Sequence, residues 1–258
     1  MQWDPQQYVR YADERGRPFH DLLARVGVES PGRIVDIGCG PGTLTATLSE
    51  RWPSAFVEGL DSSPEMISAA SPLASERLSF RVADAAAWDA AADTDLVVSN
   101  ATLQWVPEHE PILRRWAEAL PAGGWLAFQV PGNFDSPSHA LMSELAESPR
   151  WRDRLDGVLR HSDAVAEPAE YAALLLDAGL AVDTWQTTYL HVLPGPDPIL
   201  QWVRGTGLRP VLATLNPDEA AEFEHEYAAA LRRAYPPTEH GTMFPFRRIF
   251  AVAHRAAP

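Results

Sequence analysis

The chain has 258 residues, of which 46% are hydrophobic, and it carries a formal net charge of −14. This size and apolar content suit one large α/β domain, and no run approaches the roughly 20 apolar residues of a membrane helix. The acidic charge disfavours nucleic acid and anionic membrane surfaces as partners, and the single cysteine, Cys39, excludes an internal disulfide. We therefore expect a reduced, cytoplasmic setting.

The first part of the chain predicts alternating strands and helices. Residues 1–30 predict a helical lead-in that Pro18 divides in two, because proline within a helix removes a hydrogen bond. Strands are expected at 33–37, 56–60, 78–82, 95–99 and 125–130, and helices over 43–52, 64–70 and 110–120. The alternation indicates parallel crossover connections and a doubly wound sheet.

The pattern changes after residue 130. Residues 131–165 are rich in Pro, Ser, Asp and Arg. The later elements are expected to be a helix over 167–178 that stops at Gly179, a strand at 182–192, a helical stretch over 197–240 and a last strand at 246–254. We expect a single domain, 1–258, in which 131–165 and 194–245 form a helical cap or lid on a ligand-binding core at 31–130.

A glycine-rich turn follows the first predicted strand. The strand delivers Asp36 and then Gly38, Gly40 and Gly42, whose missing side chains let the backbone approach a ligand. A dinucleotide-binding fingerprint needs glycines at the first, third and sixth positions, but counting from Gly38 the sixth residue is Thr43. The resulting G-x-G-x-G pattern resembles the S-adenosylmethionine loop of class I methyltransferases.

Acidic residues close three successive predicted strands. Asp36, Asp61 and Asp84 are 25 and 23 residues apart, and Asn100 closes the fourth strand. Since ligands of open α/β sheets lie beyond the carboxyl ends of the strands, we expect these side chains to converge, although any one aspartate alone would more often be a turn or cap residue. Asp61 is expected to accept hydrogen bonds from the ribose hydroxyls, and Asp84 from the adenine amine. The expected cofactor-binding residues are Tyr8, Tyr11, Asp36, Gly38, Gly40, Gly42, Asp61, Ser62, Met66, Asp84, Ala85 and Asn100.

Further segments resemble one family more specifically, the trans-aconitate 2-methyltransferases. The matching segments are 3–5, 11–18, 100–105, 185–189, 206–210 and 248–253. The resemblance implies a Rossmann-like, doubly wound, mostly parallel sheet of seven strands with an antiparallel last strand, and a helical cap inserted before that strand. It also implies methyl transfer from S-adenosylmethionine to a carboxylate of trans-aconitate, which gives a monomethyl ester and S-adenosylhomocysteine.

This reaction would need neither a general base nor a metal, because a carboxylate is already ionised at pH 7. Its partner would be a small tricarboxylate, which bidentate arginines suit, and the protein is expected to be a monomer or weak oligomer. The candidate substrate-orienting residues are Arg15, Gln104, Trp105, Arg204, Arg209 and Arg248, with Arg248 matching the family better than Arg247. The histidines, His139 among them, share no spacing that suggests a site.

Other interpretations remain open from the residues alone. The same fold could methylate a different small acid or a secondary metabolite. A nicotinamide dehydrogenase is disfavoured by Thr43 at the sixth position of the glycine loop. A cofactor-binding module without turnover would be expected to have a damaged loop or missing acids, and here both are intact.

Overall fold

A computed structural model describes residues 12–159 and 164–257 of the chain. Tyr8 and Tyr11, two of the expected cofactor residues, lie outside the described residues, as does the side chain of Arg15. None of the helices in the described ranges is long and apolar enough to cross a membrane.

The first half of the chain follows the predicted alternation closely. Its elements are α1 (Ala12–Leu23), β1 (Arg33–Ile37), α2 (Thr43–Arg51), β2 (Phe56–Asp61), α3 (Pro64–Ala70), β3 (Leu78–Val82), β4 (Leu96–Asn100), α4 (His109–Ala119) and β5 (Trp125–Pro131). The second half contains α5 (Pro137–Ala146), α6 (Arg152–Leu155), α7 (Pro168–Asp177), β6 (Ala181–Leu193), α8 (Pro198–Arg204), α9 (Arg209–Thr214), α10 (Pro217–Ala234), β7 (Pro237–Thr238) and β8 (Gly241–His254).

The sheet has the order β3-β2-β1-β4-β5-β8-β6, and the short β7 pairs with β8 in antiparallel orientation. The pairs β1–β2, β2–β3, β1–β4 and β4–β5 are parallel. The predicted fold class, a mostly parallel class I methyltransferase sheet with an antiparallel strand, is confirmed, and β7 makes the count eight where seven were expected. The strand order reverses between β1 and β4, which is the switch point where such sheets bind ligands.

The core lies where the central strands are apolar on both faces, as parallel strands covered by helices must be. Val35 on β1, Val97 on β4 and Phe128 on β5 are fully or almost fully buried in one cluster. Helix α4 adds Trp116 to this cluster, and α7 adds Tyr171. Because these strands are held on both sides, their carboxyl ends form a rigid edge.

The prediction that Pro18 divides the N-terminal helix is wrong. Helix α1 runs from Ala12 to Leu23 with Pro18 inside it. Pro18 is buried beside the buried Phe19 and Leu22, so the packing of its ring offsets the hydrogen bond that its missing N–H cannot make.

The predicted helical stretch over 197–240 is also wrong at its C-terminal end. Three separate helices occupy it, and the last of them stops at Ala234. Tyr235 leaves the helical conformation as the C-terminal cap, and Pro236 and Pro237 follow it. Because a proline disfavours helical conformation in the residue before it, the chain turns into the β7–β8 hairpin instead.

The described residues fall into two compact units. The first, the core unit, contains the described residues of 1–130, 165–186 and 249–258. The second, the insert unit, contains those of 131–164 and 187–248. The insert unit holds helices α5, α6, α8, α9 and α10, strand β7, residues 187–193 of β6 and residues 241–248 of β8.

Candidate functional site

The core unit contains a cavity of about 370 Å³ beyond the carboxyl ends of β1, β2, β3 and β4. Among the expected cofactor residues, those that line it are Gly38, Gly40, Asp61, Ser62, Met66, Asp84, Ala85 and Asn100. Trp105, expected as a substrate-orienting residue, lines it as well. Four strands therefore bring together residues that are far apart in the chain, from Gly38 to Trp105, as the parallel topology requires.

The three loop glycines all have positive φ but face different surroundings. A Cβ at Gly38 would lie 1.9 Å from the Thr102 hydroxyl, and one at Gly42 would lie 2.8 Å from the Phe80 ring. At Gly40, with φ +56, no atom of the described residues other than its own and those of its two chain neighbours lies within 4 Å of the same position. Gly38 and Gly42 are thus required by packing within the protein, whereas the open side of Gly40 leaves room for a ligand.

Asp61 both holds the loop and lines the cavity. Its Oδ2 accepts a hydrogen bond of 3.0 Å from the N–H of Gly40, and its Oδ1 accepts one of 2.9 Å from the N–H of Ser63. A carboxylate has about four acceptor positions, so each oxygen can accept one more donor. Asp61 therefore keeps acceptor capacity on both oxygens at the cavity wall.

Asp84 has a local structural role beside its place in the cavity wall. Its Oδ1 accepts a 2.9 Å hydrogen bond from the N–H of Ala86 and so caps the single turn of 3₁₀ helix Ala85–Ala87. The residue is exposed, and its second carboxylate oxygen has no bond of this kind to the described chain. The structure thus shows Asp84 as a cap residue in the cavity wall, and its expected hydrogen bond to a ligand stays a prediction.

The end of β4 carries a strained residue. Ala101 has φ +55, a left-handed conformation that residues with a side chain rarely adopt. The Gln104 Nε2 donates a 2.6 Å hydrogen bond to the Ala101 carbonyl, so Gln104, expected to orient substrate, is buried against the backbone and is not among the residues of the cavity wall. This bend turns Asn100, whose Oδ1 has no hydrogen-bond partner among the described residues, into the cavity wall.

Asp36 lies beneath the loop rather than in the cavity wall. Its side chain is 3% exposed, and the hydroxyl of Thr45 on α2 donates a 2.6 Å hydrogen bond to Oδ2. Burial, only partly offset by this bond, raises the pKa of Asp36 from 3.8 to about 7, and the charge of Asp61 adds to the rise. Asp36 and Gly42, both expected cofactor residues, thus support the loop from the protein side.

The arginines expected to bind substrate have three different environments. Arg204 forms a two-point ion pair with Glu224 on α10, one contact being 2.6 Å from Nε to Oε1, and this bond raises the pKa of Arg204. Arg248 is 5% exposed, with its guanidinium carbon 4.4 Å from the centroid of the Phe246 ring. Arg209 is partly exposed as the first residue of α9.

Several cavity residues were missed by the sequence analysis. They are Ile37, Ala83, Ala86, Ala101, Thr102, Val106 and Pro107. All are apolar or small except Thr102, so they carry no chemical signal. Most of them directly follow the end of a strand or an already expected residue, and that position is the signal that could have found them.

The charge of the cavity wall restricts its ligand. Its lining includes the carboxylates of Asp61 and Asp84 and no arginine among the described residues. A dinucleotide pyrophosphate would meet two negative charges there, whereas a ligand with a positive charge would be attracted. No group of three or more His, Cys, Asp or Glu side chains within 12–159 and 164–257 is arranged to hold a metal ion.

A family model described as a methyltransferase domain matches residues 8–184, more than half of the chain. The trans-aconitate 2-methyltransferase of Streptomyces avermitilis is 58% identical over 99% of this chain and 97% of its own length. The chain belongs to the trans-aconitate 2-methyltransferase family. Another member, from Rhodococcus jostii, is 53% identical over 97% of this chain and 98% of its own. The resemblance noted in the sequence is thereby confirmed, and the chain is a methyltransferase.

Solved structures agree with this fold. The YcgJ protein of Bacillus subtilis superposes with a TM-score of 0.63 at 16% identity, covering 94% of this chain and 99% of its own. Phosphoethanolamine N-methyltransferase 2 of Haemonchus contortus, solved in complex with S-adenosyl-L-methionine, superposes with a TM-score of 0.54 at 16% identity. It covers 93% of this chain and 52% of its own. At these identities the likeness concerns the fold alone.

Proposed function

We propose that this protein transfers a methyl group from S-adenosylmethionine to a carboxylate of trans-aconitate, giving the monomethyl ester and S-adenosylhomocysteine. The observation that carries the proposal is the 58% identity to a trans-aconitate 2-methyltransferase over 99% of this chain, since that match includes the insert unit. A shared methyltransferase core alone would not indicate the substrate.

The cavity residues fit S-adenosylmethionine. The open side of Gly40 would leave space for the cofactor, and Asp61, whose oxygens each accept one hydrogen bond from the backbone, could also accept from the two ribose hydroxyls. Asp84 would accept a hydrogen bond from the adenine amine, and Asn100 would face the amino-acid part. Ser62, Met66 and Ala85 complete the wall. The bound cofactor would supply an electrophilic methyl group on a positively charged sulfur.

This chain's residues orient the reactants and need not move a proton. A carboxylate with a pKa near 4 is ionised at pH 7, so no general base is required. Positioning alone can lower a barrier by about 7–11 kcal/mol in favourable cases. Trp105, in the wall beyond β4, offers an aromatic face that would favour a positively charged sulfur, because the face of an aromatic ring is electron-rich.

Binding of the substrate carboxylates would require arginines. The contacts that each candidate arginine makes in the structure decide which of them we assign to the substrate. Arg204 already has a two-point ion pair with Glu224, so we assign it a structural role. We propose that Arg209 and Arg248 bind the acid, with Arg15 as a further candidate whose side chain lies outside the described residues. The variant Arg209→Lys tests the role of Arg209, because lysine keeps the positive charge and lacks the planar guanidinium group.

The decisive experiment is an assay of ester formation with labelled S-adenosylmethionine and a panel of small di- and tricarboxylic acids. We expect trans-aconitate to have the highest kcat/KM in the panel. Transfer to another acid with none to trans-aconitate would contradict the substrate assignment. Affinity for NAD without affinity for S-adenosylhomocysteine would contradict the cofactor assignment.

We also propose that the enzyme is cytoplasmic and that it is a monomer or weak oligomer. Neither nucleic acid nor a membrane is proposed as its partner. The net charge of −14 supports the exclusion of polyanionic partners. Light scattering during gel filtration, at concentrations near those of the assay, would measure the oligomeric state. A stable assembly of more than two copies would contradict this part.

A further inference from the structure

The end of β4 forms a bend at which three consecutive residues line one cavity. Asn100, Ala101 and Thr102 all belong to the wall of the core-unit cavity. An extended strand points successive side chains to opposite faces, whereas a bent backbone can bring three neighbours to one side. The bend lies at Ala101, whose φ of +55 is a left-handed conformation that costs an alanine free energy. This part of the cavity wall therefore depends on keeping Ala101 in a conformation that it disfavours.

Two hydrogen bonds hold Ala101, one on each side of its Cα. Its N–H donates a 2.9 Å bond to the Gln129 carbonyl on the neighbouring strand β5, and its carbonyl accepts the 2.6 Å bond from the Gln104 Nε2. The angles φ and ψ of a residue are the rotations between its two peptide planes, and each of these bonds orients one plane. The bond to β5 joins two backbones and needs no particular side chain. Gln104 is therefore the residue whose identity holds the bend.

Gln104 is a costly residue for a buried position. Its side chain is 6% exposed and lies in the single 3₁₀ turn Leu103–Trp105. The Oε1 of this amide is buried and has no hydrogen-bond partner among the described residues. Because a buried polar atom without a partner costs free energy, an apolar side chain of similar size would suit the packing of this turn better. The bond that the amide donates to Ala101 accounts for its presence.

We propose that Gln104 is a positioning residue for S-adenosylmethionine, which acts by holding Ala101 in its left-handed conformation. That conformation brings Asn100 and Thr102 into the cavity wall. This role stands in place of the substrate-orienting role expected from the sequence. Gln104 does not itself line the cavity, so its effect reaches the cofactor through the neighbouring backbone. The inference rests on the proposed function, because it takes the cavity to be the cofactor site.

Calorimetric titration with S-adenosylhomocysteine tests this role in Gln104→Met, Ala101→Gly and the double variant. Gln104→Met keeps the size of the side chain and removes the donor. We expect its Kd to rise about 5-fold to 30-fold, the population ratio that corresponds to the cost of a left-handed alanine. Glycine adopts positive φ without that cost, so Ala101→Gly alone should stay within about threefold of wild type. In the double variant, glycine should restore most of the lost affinity, because the bend no longer needs the bond.

The rescue by glycine separates positioning from a general loss of packing. Removing a methyl group at residue 101 would not repair poor packing at residue 104, so a double variant that binds no better than Gln104→Met would overturn the proposal. Gln104→Leu also lacks the donor and should show the same loss and the same rescue, which decides the matter if Gln104→Met does not fold. Gln201→Met makes the same change at a half-buried position on α8 and should leave the Kd unchanged.

Steady-state kinetics distinguish this role from direct contact with the acid. With S-adenosylmethionine saturating, the KM of Gln104→Met for trans-aconitate should stay within about twofold of wild type. A higher KM for the acid with an unchanged Kd for S-adenosylhomocysteine would assign Gln104 to the substrate and overturn the inference. If the wild-type protein binds no S-adenosylhomocysteine, the proposed function is wrong and the inference falls with it. If wild type binds it and the Gln104 variants bind it equally well, the inference alone is wrong.

Discussion

At the scale of single residues, the loop glycines have distinct reasons for being glycine. Gly40→Ala adds a methyl group on the open side of the loop, so we expect the Kd for S-adenosylhomocysteine to rise at least about 10-fold. Its φ of +56 should cost about 1–2 kcal/mol of stability. Gly42→Ala should destabilise by about 1–3 kcal/mol more, because its Cβ would meet Phe80 and Ala70 at 2.8 Å.

Calorimetric titration and thermal unfolding of both variants separate the two roles. Unchanged cofactor affinity in Gly40→Ala would contradict the assignment of that glycine to the ligand. Equal melting temperatures in Gly42→Ala and Gly40→Ala would contradict the packing reason for Gly42.

The buried Asp36 makes a prediction about pH. Its pKa is about 7 in the folded protein and 3.8 as an unperturbed group, so between these values the folded state retains a proton that the unfolded state has lost. Its contribution to stability is therefore fully present below pH 3.8 and is lost as the pH rises through 7. The Asp36→Asn variant still accepts a hydrogen bond from Thr45. From pH 5 to pH 8 its free energy of unfolding should rise by about 1–3 kcal/mol relative to that of wild type.

Chemical denaturation of wild type and Asp36→Asn across this pH range measures the difference. The exposed Asp153→Asn on α6 controls for the loss of one carboxylate. A stability difference between Asp36→Asn and wild type that does not change with pH would contradict the prediction.

At the scale of elements, α10 begins with a capping box that the sequence analysis did not use. Asn216 accepts hydrogen bonds from the N–H groups of Asp218 and Glu219, and the Glu219 carboxylate accepts from the N–H of Asn216. Asn216→Ala should cost about 1 kcal/mol of unfolding free energy, the usual loss for a cap. Denaturation by urea measures it, with Asn216→Asp as the conservative control. A loss below 0.3 kcal/mol would contradict the cap's contribution.

Strands β1 to β5 were predictable because their pattern is local. The central ones, β1, β4 and β5, are short apolar runs buried on both faces, and the edge strand β3 was placed correctly as well. The N-terminal helix and the end of the helical stretch over 197–240 were not predictable in the same way. Pro18 is tolerated because its ring is buried, which is a tertiary fact. The hairpin of β7 and β8 depends on pairing between Pro237 and Thr242, and helical spacing does not reveal it.

At the scale of the whole molecule, cofactor binding should stabilise the fold. A ligand at 100 times its Kd adds about 2.7 kcal/mol, which for a chain of this size raises the melting temperature by about 5–10 °C. We expect S-adenosylhomocysteine to produce this shift and NAD to produce none, since the cavity wall carries carboxylates and no arginine among the described residues. A shift with NAD alone, measured by differential scanning fluorimetry, would contradict the expectation.

The residues gathered at the cavity edge were predictable from the sequence itself. Asp61 and Asn100 end their strands, Gly38, Gly40 and Asp84 follow theirs within three residues, and a parallel sheet necessarily gathers such residues at one edge. Only the tertiary structure decided that Gly40 is open while Gly42 is packed, that Asp36 is buried beneath the loop, and that Arg204 is held by Glu224. These contacts join residues from separate elements, and no periodic spacing along the chain encodes which side chains meet across them.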